Sequence, residues 1–432
     1  MGDRLGNKQC GLLVPEAVTS RLSNKIVIAH RGASFHLPEH TLAGYRLALE
    51  LGADFIEPDL VVTQDGVLVA CHSVDLNITT DVATVFPNRM AFSKVSNRTG
   101  YWVHNFQLEE IKQLKVHQRI PDARSTQYDG LFGIPTFQEI LQLTQEWNSR
   151  IQPKLASTPK RAGVYAELKD PTWFKEDAQL SIADVFISEL ASSPYAPLIF
   201  NDTECALLKF NEYLIPPLVV QCFDGPTLQY IYDQWKMRDY GIPPHMVLLS
   251  NEEECLDDEW WYKVGEWSHF IHGVGPDKVC LLEEEPAQAF MEHAREHDLA
   301  VHVWTARPET SMLMSSATMN TLEDEMNYLF CKIGVDGLFT EDVGRTGRFL
   351  AKGCSDTWTP LPPPSPSPST IHDICDSQEK GRSQYLSTAT GIMGFLLGIL
   401  STMFLMNSRH CKSQRHTRRQ LRIPTHDDVE MI

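Results

Sequence analysis

Two carboxylates, Glu57 and Asp59, stand two residues apart inside the otherwise apolar run DFIEPDLVV at 54–62. In extended chain, residues i and i+2 share a face. The pair therefore sets two like charges side by side, where burial makes each one costlier. A hard divalent cation that prefers oxygen, Ca²⁺ or Mg²⁺, relieves both penalties. Pro58 between them donates no ladder hydrogen bond, which a strand tolerates at its end or at a bulge, so the pair belongs at a strand end. A second i, i+2 pair, Glu167 and Lys169, closes GVYAELK at 163–169, while His30 closes KIVIAH (25–30) and His72 closes VLVACH (67–72).

Glu57, Asp59 and Glu167 supply three carboxylates for one divalent ion. His30 and His72 titrate near neutral pH and suit a base and an acid. Arg31 and Lys169 are cations for an anion, and a guanidinium is well shaped for phosphate oxygens. A divalent metal, two imidazoles and cations around one anion site describe phosphoester hydrolysis.

The elements that must carry these groups alternate. Candidate strands are 25–30, 54–62, 67–72, 163–169, LVVQCF (218–223), HMVLLS (245–250), LAVHVWT (299–305) and DGLFT (336–340), with IHGVGP (271–276) as a further strand or an irregular insertion. Between them, TLAGYRLALELG (41–52) and PTFQEILQLTQEW (135–147) repeat apolar residues at helical spacing. Near-continuous apolar strands alternating with helices imply a parallel α/β architecture, here a TIM (β/α)8 barrel with nine candidates for eight positions. Val74 to Ile134 reads as an insertion after the third strand, with one helix near Leu108 to Leu114.

The formal net charge of −18 argues against non-specific nucleic-acid binding. The ten cysteines include no CxxC pair, and residues such as Cys71, Cys222 and Cys280 read as buried free thiols. The chain divides into an N-terminal extension (1–24) without a signal-peptide run, the barrel (25–352), a Pro/Ser-rich linker (353–385), an uncharged helix of membrane-spanning length (386–406) and a basic tail (407–432). Gly394 and Gly398 in that helix form a GxxxG spacing that suits a homodimer.

AHRGASFHLPEHT, ADFIEPDLVVTQDGVLVACH, YAELK, VVQCFD and GVDGLFTE together resemble the glycerophosphodiester phosphodiesterases, closest in motif to the bacterial periplasmic type. The resemblance implies a TIM barrel that cleaves glycerophosphodiesters such as glycerophosphocholine to glycerol 3-phosphate and an alcohol. It also implies Ca²⁺ or Mg²⁺ at Glu57, Asp59 and Glu167, with His30 and His72 as the acid/base pair. Glu39 matches the family's Glu after proline and would serve the metal shell or the glycerol hydroxyls; as a bare residue it reads equally as a first-turn helix carboxylate. Gln221, Phe223 and Trp304 would line the substrate mouth, although the two aromatics by themselves suit a core. The family usually has His-Asp where this chain has His72-Ser73; Asp75, two residues on, is the candidate substitute.

Membrane placement makes a lysophospholipase D or sphingomyelinase-D-like lipid phosphodiesterase the alternative, and Ser73 raises a catalytically weakened binding protein. The basic tail puts the C-terminus in the cytosol and the barrel outside or in a lumen; a tail-anchored cytosolic form is the other topology. Sequons stand at Asn77, Asn97 and Asn201.

Overall fold

A computed structural model describes residues 25–150, 161–196, 208–210, 213–215, 217–238, 243–314 and 319–354. The expected extension at 1–24, membrane helix at 386–406 and basic tail at 407–432 lie outside the described residues, as does the linker beyond Cys354. Among the described residues, no helix is long and apolar enough to cross a membrane.

Eight parallel strands close on themselves: β1 (Ile26–His30), β2 (Phe55–Glu57), β3 (Gly163–Leu168), β4 (Leu218–Cys222), β5 (His245–Ser250), β6 (Gly273–Pro276), β7 (Ala300–Ala306) and β8 (Gly337–Thr340). Each bonds its successor, and β8 returns to β1 with Ile26 opposite Gly337 and Ile28 opposite Phe339. This is the expected TIM-type barrel. An α-helix follows each strand on the outside, beginning with α1 (Leu42–Glu50) and α2 (Phe137–Ser149). Thr41 caps α1 through a 3.0 Å bond from Gly44 N. At α2, Thr136 and Glu139 cap one another reciprocally, and Phe137, Ile140, Leu141 and Thr144 then recur on the buried face.

Two strand expectations are corrected. The run 67–72 is not a barrel strand. Only Leu68–Ala70 is extended, and it pairs antiparallel with Asp59–Val62. Five residues separate these two strands, whereas a parallel crossover needs roughly a dozen or more. IHGVGP instead supplies the sixth strand. Its glycines weaken the apolar signal, yet they permit close approach: a Cβ on Gly275 would sit 2.6 Å from Leu249 Cδ2. The long insertion therefore follows the second barrel strand, not the third. It contains the expected short helix at Leu108–Ile111 and a small hairpin, Ala91–Ser93 with Arg98–Gly100.

Strand alternation stacks the barrel interior in layers. Ile26, Ile28, Phe55, Tyr165, Val219, Val247 and Phe339 form an apolar plug, with Trp304 against it. Two residues further along the same strand faces come His30, Glu57, Glu167, Gln221 and Glu341. The plug thus gives every polar side chain above it a dry, rigid floor at the C-terminal mouth.

Cys71 and Cys222 are buried free thiols, as expected. Cys280 is not. It bonds Cys255, and Cys331 bonds Cys354. Neighbouring strands β5 and β6 end beside each other, which brings Cys255 and Cys280 to a Cα separation of 6.0 Å across 25 residues of sequence.

Candidate active site

Glu57, Asp59 and Glu167 offer carboxylate oxygens that all lie within 4.8 Å of one another. Pro58 breaks the strand between the first two. Glu57 thus ends β2 beside His30, while Asp59 opens the next extended segment beside Glu167. Glu57 and Asp59 have no measurable exposure and Glu167 has little. Burial and repulsion from Asp59 and Glu167 push Glu57 well above the usual carboxylate range. Burial raises Glu167 to about 8, with Lys169 opposing and Asp59 adding to the shift. Burial also acts against Asp59, but Arg31 and His40 outweigh it and hold that carboxyl well below its usual range.

These groups fit a divalent cation. Asp59 Oδ1 and Gln221 Oε1 are buried with no hydrogen-bond partner, and oxygen atoms of this kind, gathered among anionic carboxylates, are what a hard cation takes as ligands.

The cations lie against the carboxylates. Arg31 Nε is 3.1 Å from Asp59 Oδ2 and Nη1 is 3.3 Å from Glu39 Oε2, while its backbone N–H donates to Glu57 Oε2 at 2.8 Å. Arg31 reaches this position with φ of +58, followed by Gly32 at +90; a Cβ on Gly32 would meet the Gly44 backbone at 2.9 Å. Lys169 Nζ donates to Glu167 Oε1 at 2.8 Å. Gln221 lies in the same layer of the barrel mouth as Glu57. It is buried, and its amide donates to Glu57 Oε1 at 3.1 Å. Glu39 is not a first-turn helix carboxylate, since it precedes the Thr41 cap. It accepts from Arg119 at 2.8 and 2.6 Å as well as facing Arg31, and these two guanidinium groups overcome burial to hold it ionised.

His30 Nδ1 lies 2.9 Å from Glu341 Oε1. Burial and then Arg31 lower its pKa to about 4, against the pull of Glu341. His72 follows the Leu68–Ala70 segment rather than a barrel strand and keeps part of its surface open, while its Nδ1 is buried without a partner. Desolvation, then Arg31, Lys169 and Arg119, hold its pKa well below the ordinary imidazole value. Asp75 does not substitute for the missing Asp beside it. Its carboxylate accepts from Asn77 N and Tyr101 N and pairs with Arg98, inside the insertion. Ser73 Oγ accepts from Asp75 N and so builds the turn. Phe223 and Trp304 meet edge-to-face at 5.9 Å where β4 and β7 end; Phe223 is 37% exposed, so that ring faces the mouth rather than the core.

Four further residues belong to this site. His40 binds Asp59, Glu341 binds His30, and Arg119 and Arg124 arrive from the insertion. Glu341 carried a readable signal, being two residues beyond Phe339 on an inward face, whereas the arginines carried none.

The chain matches the glycerophosphoryl diester phosphodiesterase family over residues 30–345. A glycerophosphodiester phosphodiesterase of Arabidopsis thaliana is 30% identical over 346 residues, covering 76% of this chain and 85% of its own length. One from Haemophilus influenzae is 29% identical, over 78% of this chain and 92% of its own. A solved structure from Silicibacter pomeroyi, assigned to the same activity, superposes with a TM-score of 0.52 at 19% identity, over 78% of this chain and 97% of its own, which supports the fold. The barrel, the clustered carboxylates and these similarities lead to one conclusion: the chain belongs to the glycerophosphoryl diester phosphodiesterase family and is a phosphoric diester hydrolase.

Proposed function

We propose that the protein hydrolyses glycerophosphodiesters such as glycerophosphocholine to glycerol 3-phosphate and an alcohol, with a divalent cation, Ca²⁺ or Mg²⁺, held by Glu57, Asp59 and Glu167. The observation that carries this reading is the gathering of three buried carboxylates within 4.8 Å beside two imidazoles. When bound, the cation supplies charge neutralisation at a phosphoryl oxygen. Arg31 and Lys169 reinforce it from either side of the carboxylates, orienting the anionic diester. His30, uncharged at neutral pH, takes the proton of the attacking oxygen. His72 returns a proton to the oxygen that leaves phosphorus. Desolvation first, then three cations, depress His72; the negative charge of a bound diester opposes the cations and so favours the protonated ring. Phe223 and Trp304 flank the alcohol side.

The test is release of glycerol 3-phosphate from glycerophosphocholine by the full chain with Ca²⁺, Mg²⁺ or chelator, beside His30→Ala and Glu57→Ala. Metal-dependent release lost in both variants supports the reading. A folded, cation-binding protein that releases nothing overturns it.

A lipid phosphodiester is the second substrate class. Met90 (52% exposed) and Phe92 (61% exposed) lie on or beside the insertion hairpin, which docks at the mouth through a 3.0 Å bond from Trp173 Nε1 to Ser96 Oγ. Lysophospholipid cleavage outpacing glycerophosphocholine cleavage would favour it.

The location we propose is outside the cell or in a lumen, anchored by residues 386–406, whose GxxxG offers a face for a second copy. Two disulfides support an oxidising compartment, and the Asn97 sequon is exposed on the hairpin turn. A glycosidase mobility shift abolished by Asn97→Gln would support this placement. Free thiols at Cys255 and Cys331 in protein isolated from cells would refute it.

A further inference from the structure

Glu341 and Arg124 join His30 to the insertion. The His30 ring presents Nδ1 to Glu341 Oε1 at 2.9 Å. Burial alone would protonate Glu341, but Arg307, Arg124 and the His30 bond hold it well below the usual carboxylate range. An ionised carboxylate only accepts, so the proton of His30 must sit on Nδ1, and Nε2 keeps the lone pair. Glu341 has no freedom to swing away. Oε1 also accepts from Arg307 Nε at 2.9 Å, and Oε2 accepts from Arg124 Nη2.

Arg124 comes from the insertion, yet it spans three other loops at the mouth. It donates through Nη1 to Ser34 O at 3.0 Å, and through Nε and Nη2 to Glu309 at 2.5 and 3.1 Å, besides Glu341. Ser34 Oγ in turn donates to His30 O at 2.7 Å. Arg119, five residues earlier on the same strap, does the equivalent for Glu39 and Arg31. Each of two adjacent active-site residues thus has a carboxylate behind it, and each carboxylate has a strap arginine behind that.

We propose that Glu341 is the positioning residue for His30, fixing its Nδ1–H tautomer, and that Arg124 latches Glu341 so that catalytic competence depends on the seating of the insertion. The inference rests on His30 acting as the base, as proposed above. It differs from that reading in having a consequence visible without turnover.

The experiment is the long-range ¹H–¹⁵N spectrum of the histidine-labelled full chain, with His30 assigned from His30→Gln, read beside steady-state kinetics. Wild type should show His30 as the Nδ1–H tautomer. Glu341→Gln should give a mixture or the Nε2–H form, with kcat down about 100-fold or more and KM within about two-fold. Glu341→Asp should restore part of kcat. Arg124→Lys, which keeps the charge but loses the fork, should cost about ten-fold in kcat in a protein that still folds and melts cooperatively. A wild-type Nε2–H tautomer, or an unchanged tautomer and kcat in folded Glu341→Gln, overturns the proposal. If Glu341→Gln fails to fold, the wild-type tautomer and Arg124→Lys decide: full kcat in Arg124→Lys overturns the latch. Should no substrate be turned over, the tautomer still tests the positioning, so the two failures stay distinguishable.

Discussion

His40 and Asp59 meet through a 2.9 Å contact between Nε2 and Oδ2, and the hydroxyl of Tyr45 lies 2.7 Å behind the ring at Nδ1. Since Asp59 is held ionised, Nε2 donates to it, and the Tyr45 hydroxyl braces the ring from the other side at Nδ1. Oδ2 is thereby held by His40 and Arg31, and Oδ1 is left without a partner. His40→Ala should lower Ca²⁺ or Mg²⁺ affinity about 10- to 100-fold, the usual cost of losing an orienting group behind a metal ligand. Calorimetric titration of the two proteins checks this, and equal affinities would mean that His40 orients nothing.

Glu57→Gln should separate stability from activity. Without divalent cation, Glu57 is repelled by Asp59 and Glu167. An amide there carries no charge to be repelled, its carbonyl still accepts from Arg31 N, and a turn of the Gln221 amide, whose Nε2 faces this position, lets Gln221 Oε1 accept from the new NH₂. The chelated variant should melt higher by about 2–4 °C, corresponding to roughly 1 kcal/mol, with hydrolysis lost. A lower melting temperature would show that the carboxylates do not repel as placed.

Glu167 gives a pH signature of opposite sign to an ordinary ion-paired carboxylate. Its folded pKa of about 8 lies above the unfolded value near 4.5, through burial first. The folded state then holds the extra proton, so this contribution is full below about pH 4.5 and is lost as pH rises through about 8. In chelator, the melting temperature of wild type relative to Glu167→Gln should fall across that window. Cation affinity should rise over the same range, because binding expels the proton. A pH-independent difference between the two proteins would contradict this.

Much of the site was legible because a strand's period of two is strict. Once His30, Glu57 and Glu167 are set at strand ends, their side chains converge whatever the loops do. The hairpin at Leu68–Ala70 was misread because its apolar run looks like a buried strand; the short Thr63–Val67 connection, too brief for a crossover, was the discriminating feature. Cys280 was misread because pairing depends on which strand ends are neighbours. Arg119 and Arg124 meet partners 80 and 217 residues away, and no local pattern marks a lone arginine in a loop for such a contact.

At the opposite end of the barrel, His245 and His272 stack with ring centroids 4.3 Å apart. His272 Nδ1 accepts from Met246 N at 3.2 Å, so protonation there would break the bond. Burial, then His272 and His302, lower His245 to about 3, and burial lowers His272 too. Both folded values lie below the unfolded one near 6.5, so the stability they confer is present above that pH and is lost as pH falls towards 3. His245→Phe should lose less melting temperature than wild type between pH 7 and pH 4.5. An identical loss would place acid sensitivity elsewhere.

The pairing of β1 with β8 also sets when the enzyme can first act. His30 lies near the start of the barrel and Glu341 at its end, joined only after Ile26–Ala29 dock along Gly337–Thr340. During synthesis Glu57, Asp59, Glu167, His30 and His72 all emerge from the ribosome well before the segment that closes the ring. A nascent or truncated chain ending before β8 therefore has the reactive groups but no closed sheet to converge them. Hydrolytic capacity would switch on in a single step at closure, which leaves prematurely terminated products inert towards cellular phosphodiesters.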